Sequence, residues 1–389
     1  MISLQRIYPL LVALCLVLLV AACAQPALLG GQGDANLGEW AMEGRNLSRN
    51  RASDESVPPP LTLEKTFHVG GDTSFASPVG VAHGRLFVDG EQQLQVIDQQ
   101  NGEEVWRFRL AGSYISPAVA GDNVFIRAES GEEGFIFALT ADAGAKLWEF
   151  RFPKVGSPYD NIGGHVTSPV VAQGRVLVGA SQSLYALDVE SGTPVWEFQL
   201  QSPIGSSASV ADDLVFVSDF TTLYAVKLAS GEEVWRYDFG GVSLFFAPIV
   251  ADDQVLIASS DTAFSLDRRT GALRWARQIP GEELIPAAAD DSLVYIKSAN
   301  RLFALDRASG TLRWRYETVN FVSVPALAGD QLYVVTRFPG GSQLRALSSE
   351  TGEELWVSDD QDLARSAPVV AGGRVYVRTE AGDILVYRS

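Results

Sequence analysis

Residues 184–196 read Leu-Tyr-Ala-Leu-Asp-Val-Glu-Ser-Gly-Thr-Pro-Val-Trp. A short strand-forming run ends on Asp188, a tight turn passes through Ser191-Gly192, and a second strand carries Trp196. An Asp so placed accepts hydrogen bonds from backbone N–H groups two residues on, and Gly takes a positive φ without steric cost. The same Gly-to-Trp spacing of four recurs at Gly102 and Trp106, Gly144 and Trp148, Gly231 and Trp235, Gly271 and Trp275, Gly310 and Trp314, and Gly352 and Trp356. Successive tryptophans of the series lie 42, 48, 39, 40, 39 and 42 residues apart. Seven of the eight tryptophans in the chain are used this way, which makes the repeat the main signal in the sequence.

Working outward, each unit opens on Ser-Pro or a variant, as at Ser77-Pro78, Ser168-Pro169 and Ala247-Pro248, with Ser207-Ala208 in the fourth. A Gly or paired-Asp turn follows, then two β-rich runs, then the Asp-to-Gly turn and the Trp strand. Four strands per unit of about 40 residues, without helical periodicity, predict the blades of a β-propeller. Each Trp ring is expected to pack flat against the neighbouring blade. The last unit, residues 366–387, has three strands and no Trp. Residues 61–69 supply the fourth, because Phe67 precedes Pro78 by the same 11 residues that separate Trp106 from Pro117. The expected fold is all-β: eight four-stranded antiparallel blades, closed by an N-terminal strand joining the last blade. Such closure removes open sheet edges.

The N-terminus has another character. Residues 7–22 form a 16-residue apolar run behind Arg6, the layout of a secretory signal and short for a membrane span of about 20. It ends in Val20-Ala21-Ala22-Cys23, which resembles the lipobox of bacterial lipoproteins, whose cysteine is lipidated. The other cysteine, Cys15, lies within the signal, so the mature chain has no disulfide to form. The division is therefore a lipoprotein signal at 1–22, a lipidated Cys23 with a flexible tether to residue 60, and a propeller over 61–389. The net charge of −17 disfavours nucleic acid and anionic lipid headgroups, and leaves the lipid on Cys23 as the membrane contact.

The LYALD phrase, its Ser-Gly or Thr-Gly turn and its Trp resemble the repeat of quinoprotein-type (PQQ-like) propellers. Trp40-Ala41-Met42-Glu43-Gly44-Arg45-Asn46 resembles the phrase that precedes such propellers. With a lipobox, eight blades and this length, the chain is most similar to the BamB-like lipoproteins of outer-membrane β-barrel assembly. That resemblance implies no catalysis, no cofactor and a monomer. It also implies an envelope protein partner such as a β-barrel assembly subunit, and a place on the periplasmic side of the outer membrane. In a Gram-positive host the outer face of the cytoplasmic membrane would take that role. The quinoprotein enzymes imply adjacent cysteines and a Glu-Asn-Asp calcium site, and this sequence has no cysteine pair to match.

No catalytic constellation emerges. His68, His83 and His165 are scattered, two cysteines cannot build a zinc site, and no nucleophile elbow or Walker loop is present. The Asp pairs and Gly-Glu-Glu stretches read as solvated turns. The repeat is interrupted at 152–165, 129–134, 337–341 and 240–246, and insertions in a propeller project from a rim where binding occurs. Tyr159, Phe245, Phe246 and Arg337 are the candidate partner-surface residues; for the two phenylalanines, covering the end of the central channel is the competing role. Three readings follow: a tethered protein-binding scaffold, an extracytoplasmic sensor or wall-binding propeller, and a quinone-dependent dehydrogenase.

Overall fold

A computed structural model of the chain describes residues 39–69, 77–90, 92–109, 113–130, 133–153, 167–241, 246–359 and 361–389. The Cys23 lipobox, Tyr159, His165 and Phe245 lie outside them. The strands form eight antiparallel sheets, one per repeat. Blade 1 comprises Gly80–Ala82, Arg85–Gly90, Gln93–Asp98 and Glu104–Arg109. Blades 2 to 7 span residues 113–153, 170–199, 209–238, 249–278, 285–317 and 326–357. Blade 8 takes its three inner strands from residues 369–388 and its outermost from Thr62–Phe67, which pairs antiparallel with Ile384–Arg388. The N-terminal strand thus closes the ring on the last blade.

First strands of adjacent blades pack on one another around the axis, and the Trp-bearing fourth strands lie outermost. Core side chains come from both faces of each blade, because a blade is sandwiched between two others. The second strands accordingly read as nearly unbroken apolar runs, Val215-Phe216-Val217 and Val294-Tyr295-Ile296 among them, all buried. The repeat-widening stretches near 129–134 and 337–341 prove to be longer hairpins. In blades 2 and 7 the second and third strands are eight residues long, against five or six in the others.

A β-bulge one residue before the repeat Trp recurs from blade to blade. In blade 1 Val96 faces Trp106 and Ile97 faces Glu104, so Val105 is extra. Blade 4 repeats it with Ala225 facing Trp235 and Val226 facing Glu233. A bulge sharpens local twist and re-aims the following side chain. Here that side chain reaches the next blade: Trp106 Nε1 donates to the Ala141 carbonyl at 2.9 Å, Trp148 to Val189 at 3.0 Å, and Trp196 to Leu228 at 2.9 Å. Trp235, Trp275 and Trp314 donate likewise to Arg268, Arg307 and Ser349. Each ring covers the turn glycine of the following blade, where an added Cβ on Gly144, Gly192 or Gly231 would stand within 2.7 Å of ring carbons. Trp356 instead meets Tyr387 of blade 8 edge-on, with ring centroids 5.9 Å apart.

Blade 8 departs from the alignment made on loop length. The register sets Lys65, not Phe67, opposite Val386, the place the Trp holds elsewhere. Lys65 Nζ donates to the Gln100 carbonyl of blade 1 at 2.6 Å, and the Phe67 ring two residues on covers Gly102.

Candidate functional site

The stretch assigned to a tether reaches further into the fold than its composition suggested. Of residues 23–60 the described part starts at Glu39, and from Trp40 onward it is a strap threaded around the axis. Trp40 exchanges two backbone hydrogen bonds with Val81 of blade 1, at 2.8 and 2.9 Å. The Ala41 carbonyl accepts from Val119 of blade 2, and Glu43 meets Ser168 at the start of blade 3. The carbonyls of Leu47, Ser48 and Asn50 accept from Val210, Val250 and Ala289 of blades 4, 5 and 6. Arg51 and Ser53 accept from Leu327 and Gly329 of blade 7, where Ala52–Ser53 forms a short parallel strand. Glu55 accepts from the Gly373 N–H of blade 8 at 2.6 Å. Innermost strands carry edge N–H groups that water cannot reach well, and the strap satisfies one or more of them in most blades. Among the described residues, the segment from Trp40 is thus bonded into the ring ahead of the first blade strand at residue 62. The signal that could have found the strap was Trp40 and Met42, both buried, in a stretch otherwise read as linker.

The strap turns tightly. Gly44, Arg45, Arg49 and Arg51 all have positive φ, at 79°, 71°, 54° and 52°. Three of these are not glycine, a strained choice that the surrounding contacts must hold in place. The turns bring the ionic groups of the strap together in the channel. Arg49 Nη2 donates to Glu43 Oε2 at 2.7 Å, Arg51 Nη2 lies 3.5 Å from Glu43 Oε1, and the Ser168 hydroxyl donates to Glu43 Oε2 at 2.6 Å. Burial pushes the Glu43 carboxyl up, but the two guanidiniums and the hydroxyl outweigh it and hold the group below the usual carboxylate range. Burial, reinforced by Arg49 and opposed by Glu43, pushes Arg51 down to about 10, so it stays charged at neutral pH.

Beside this cluster lies a cavity of about 130 Å³, bounded by Ser206, Ser207, Phe246, Ile249, Ile285 and Val324. Phe246 also borders a wider groove of about 470 Å³ between blades 5 and 6, whose polar wall is Ser259, Ser260, Asp261, Glu282 and Glu283. Phe246 thus borders both the channel cavity and the groove. Arg337 lies elsewhere on the ring, at the end of a blade 7 strand, bonded to the Glu380 carboxylate and, at 3.4 Å, to the Leu363 carbonyl. Neither cavity includes it.

The fifth residue of the second strand is basic in three blades, and each is buried. Arg378 of blade 8 bonds Asp89 of blade 1, and Arg127 of blade 2 bonds Thr167 and the Gly179 carbonyl ahead of and within blade 3. Among the described residues Lys297 of blade 6 reaches only the Ser298 carbonyl, at 3.5 Å, and blade 7 presents Val335 where blade 1 presents Asp89. Burial, opposed by Glu283, pushes the Lys297 ammonium down to about 8.

A family model described as outer membrane protein assembly factor BamB matches residues 40–181, 132–284 and 264–389, reaching from the first strap residue to the C-terminus. The chain belongs to the BamB family. Over 135 residues it is 27% identical to the outer membrane protein assembly factor BamB of Shewanella oneidensis, an alignment covering 34% of this chain and only 32% of that relative. The BamB structure from Moraxella catarrhalis superposes with a TM-score of 0.55 at 16% identity, covering 85% of this chain and all of that one. The quinohemoprotein alcohol dehydrogenase of Comamonas testosteroni superposes with a TM-score of 0.72 at 15% identity, covering 92% of this chain and 81% of that one. At these identities the structural likenesses show a shared fold and no more.

The dehydrogenase likeness calls for a test against the residues present. The sequence has no adjacent cysteines, and among the described residues no three His, Cys, Asp or Glu side chains gather as a metal site. Nor does the 130 Å³ channel cavity approach the roughly 300 Å³ at which pockets for drug-sized ligands begin. The residues do not fit a quinone with its calcium ion.

Proposed function

We propose that this chain is a non-catalytic scaffold of the BamB kind, secreted and lipid-anchored through Cys23, that binds an envelope protein engaged in outer-membrane β-barrel assembly. The observation that carries the reading is the family match over the whole strap and propeller. The geometry supports it. The strap's ion pairs wall the smaller channel cavity, and the wider groove lies at the rim. On that rim Phe246 stands beside the carboxylates of Asp261, Glu282 and Glu283. An aromatic anchor edged with carboxylates suits a protein segment that carries apolar and basic side chains. Tyr159 and Phe245, which belong by sequence to connections between blades, and Arg337 of the blade 7 hairpin are proposed as further partner contacts.

The test is a crosslinked pull-down of the lipidated full-length protein from its native membrane, with partners identified by mass spectrometry. A barrel-assembly subunit should be recovered, and its yield should fall when Phe246→Ala is combined with Glu283→Lys. Recovery of no envelope protein from membranes that retain the bait would overturn the scaffold reading.

A further inference from the structure

The channel cluster holds more positive charge than it neutralises. Arg49 Nη2 and Arg51 Nη2 are both directed to the single carboxylate of Glu43. The Nη1 atoms of both arginines are buried without a hydrogen-bond partner among the described residues, although the Arg49 side chain is only 4% exposed. A buried charged donor left unpaired is costly, more so than a neutral one at about 1–3 kcal/mol. Both arginines border the 130 Å³ cavity. In an acidic protein of net charge −17, this places an excess of cation at the centre of the ring.

The remaining walls complete an anion site. The Ser207 hydroxyl accepts the Ser168 N–H at 2.9 Å, which leaves its own proton to donate. Ser206 is beside it, and Ile249, Ile285 and Val324 keep the surroundings apolar, where charge-assisted hydrogen bonds are stronger. A guanidinium presents its N–H groups as a planar fork that matches two oxygens of one anion. The strap closes the strap side of the cavity, and the residues opening the inner strands, Ser206, Ser207 and Phe246, form its other side. We infer that the channel is a binding site for one small free oxyanion of the phosphate or small-carboxylate class, held by Arg49 and Arg51 against Glu43, with Ser207 donating. The site shares only the Phe246 wall with the partner surface proposed above, and the groups that would hold the anion, Arg49, Arg51 and Ser207, lie outside that surface.

The experiment uses the full chain. It is titrated calorimetrically with sodium selenate against sodium chloride at matched ionic strength, and crystals are soaked in selenate to locate selenium by anomalous scattering. Saturable binding and an anomalous peak between Arg49 and Arg51 are expected. Glu43→Gln should tighten binding at least threefold, because it frees donors that now serve the carboxylate. Arg51→Gln should weaken it tenfold or more. A purely structural cluster predicts the opposite for Glu43→Gln: lower stability and no gain in binding. Absence of saturable binding in the parent protein, or selenium found only elsewhere, ends the proposal, and that result stands whether or not the variants fold.

Discussion

Replacing Gly231 by Ala tests whether the tryptophan series welds one blade to the next. Gly231 has φ +72°, and an added Cβ would stand 2.7 Å from Cδ2 and Cε3 of Trp196. The backbone cost of a left-handed L residue is about 1–2 kcal/mol. Forcing a methyl into a packed ring adds about 1–3 kcal/mol, for a total of about 2–5 kcal/mol. Gly174→Ala is the control, since Gly174 has φ +76° with nothing within 4 Å of an added Cβ, and should lose the backbone term alone. Any gain from a stiffer unfolded chain is common to both and cancels. Urea unfolding followed by far-UV circular dichroism gives the two losses. Repeating Gly231→Ala on a Trp196→Leu background should remove the packing part, a coupling of about 1–3 kcal/mol between residues in direct contact. Equal losses for Gly231→Ala and Gly174→Ala, or a Gly231→Ala loss that Trp196→Leu leaves unchanged, would refute the reasoning.

Two further outcomes follow from buried charge. Lys297 binds its proton less tightly folded, near 8, than unfolded, near the usual 10.5, so stability should rise with pH through that window and carry a penalty of up to ~3 kcal/mol below it. Lys297→Met should raise the urea midpoint at pH 7 and flatten the rise between pH 8 and 10.5; identical pH profiles would count against the assignment. Asp89→Ala strips the carboxylate from Arg378, which is 1% exposed, and should cost about 3–5 kcal/mol, while adding Arg378→Met should recover much of that loss in the same denaturation assay.

The blades were legible because their signal is local: a turn of fixed length, a Gly that must take positive φ, and a Trp at constant distance. Even the closure by residues 62–67 could be read from a missing fourth strand. Its register could not, since counting to Pro78 aligns loop lengths, whereas strand pairing is decided by the bulge at Glu64, which moved Lys65 into the Trp position. The channel site was hidden for a different reason. Glu43, Arg49 and Arg51 are charged residues in a stretch rich in Arg, Ser and Asn, the composition of a solvated linker, and nothing local says that eight blades will surround them. Long-range pairing with successive blades, as of Leu47, Ser48 and Asn50 with blades 4 to 6, buries the stretch.

That burial bears on where selection for function has acted. Ordering a strap residue costs about 1–2 kcal/mol of backbone entropy, and a backbone hydrogen bond returns a net of about 0.5–1.5 kcal/mol. With roughly one such bond to every second strap residue, hydrogen bonding alone does not hold the strap in place. The apolar anchors at its ends must supply the balance: Trp40, Ala41 and Met42 on one side, Val57 and Leu61 on the other, all buried. A Trp that buries 150–250 Å² is worth about 4–6 kcal/mol, reduced at Trp40 by about 1–3 kcal/mol because its buried Nε1 has no partner among the described residues. The middle of the strap does the reverse. Glu43, Arg49 and Arg51 are desolvated, the Nη1 atoms of the two arginines lack partners among the described residues, and an apolar stretch of similar volume would stabilise the ring at least as well. A fold assembled from seven near-identical, locally consistent turns departs from that consistency at its centre, and such departures mark places where stability has been given up for binding. The charged middle of the strap is therefore a stronger candidate for a ligand site than any of the regular turns on the rim.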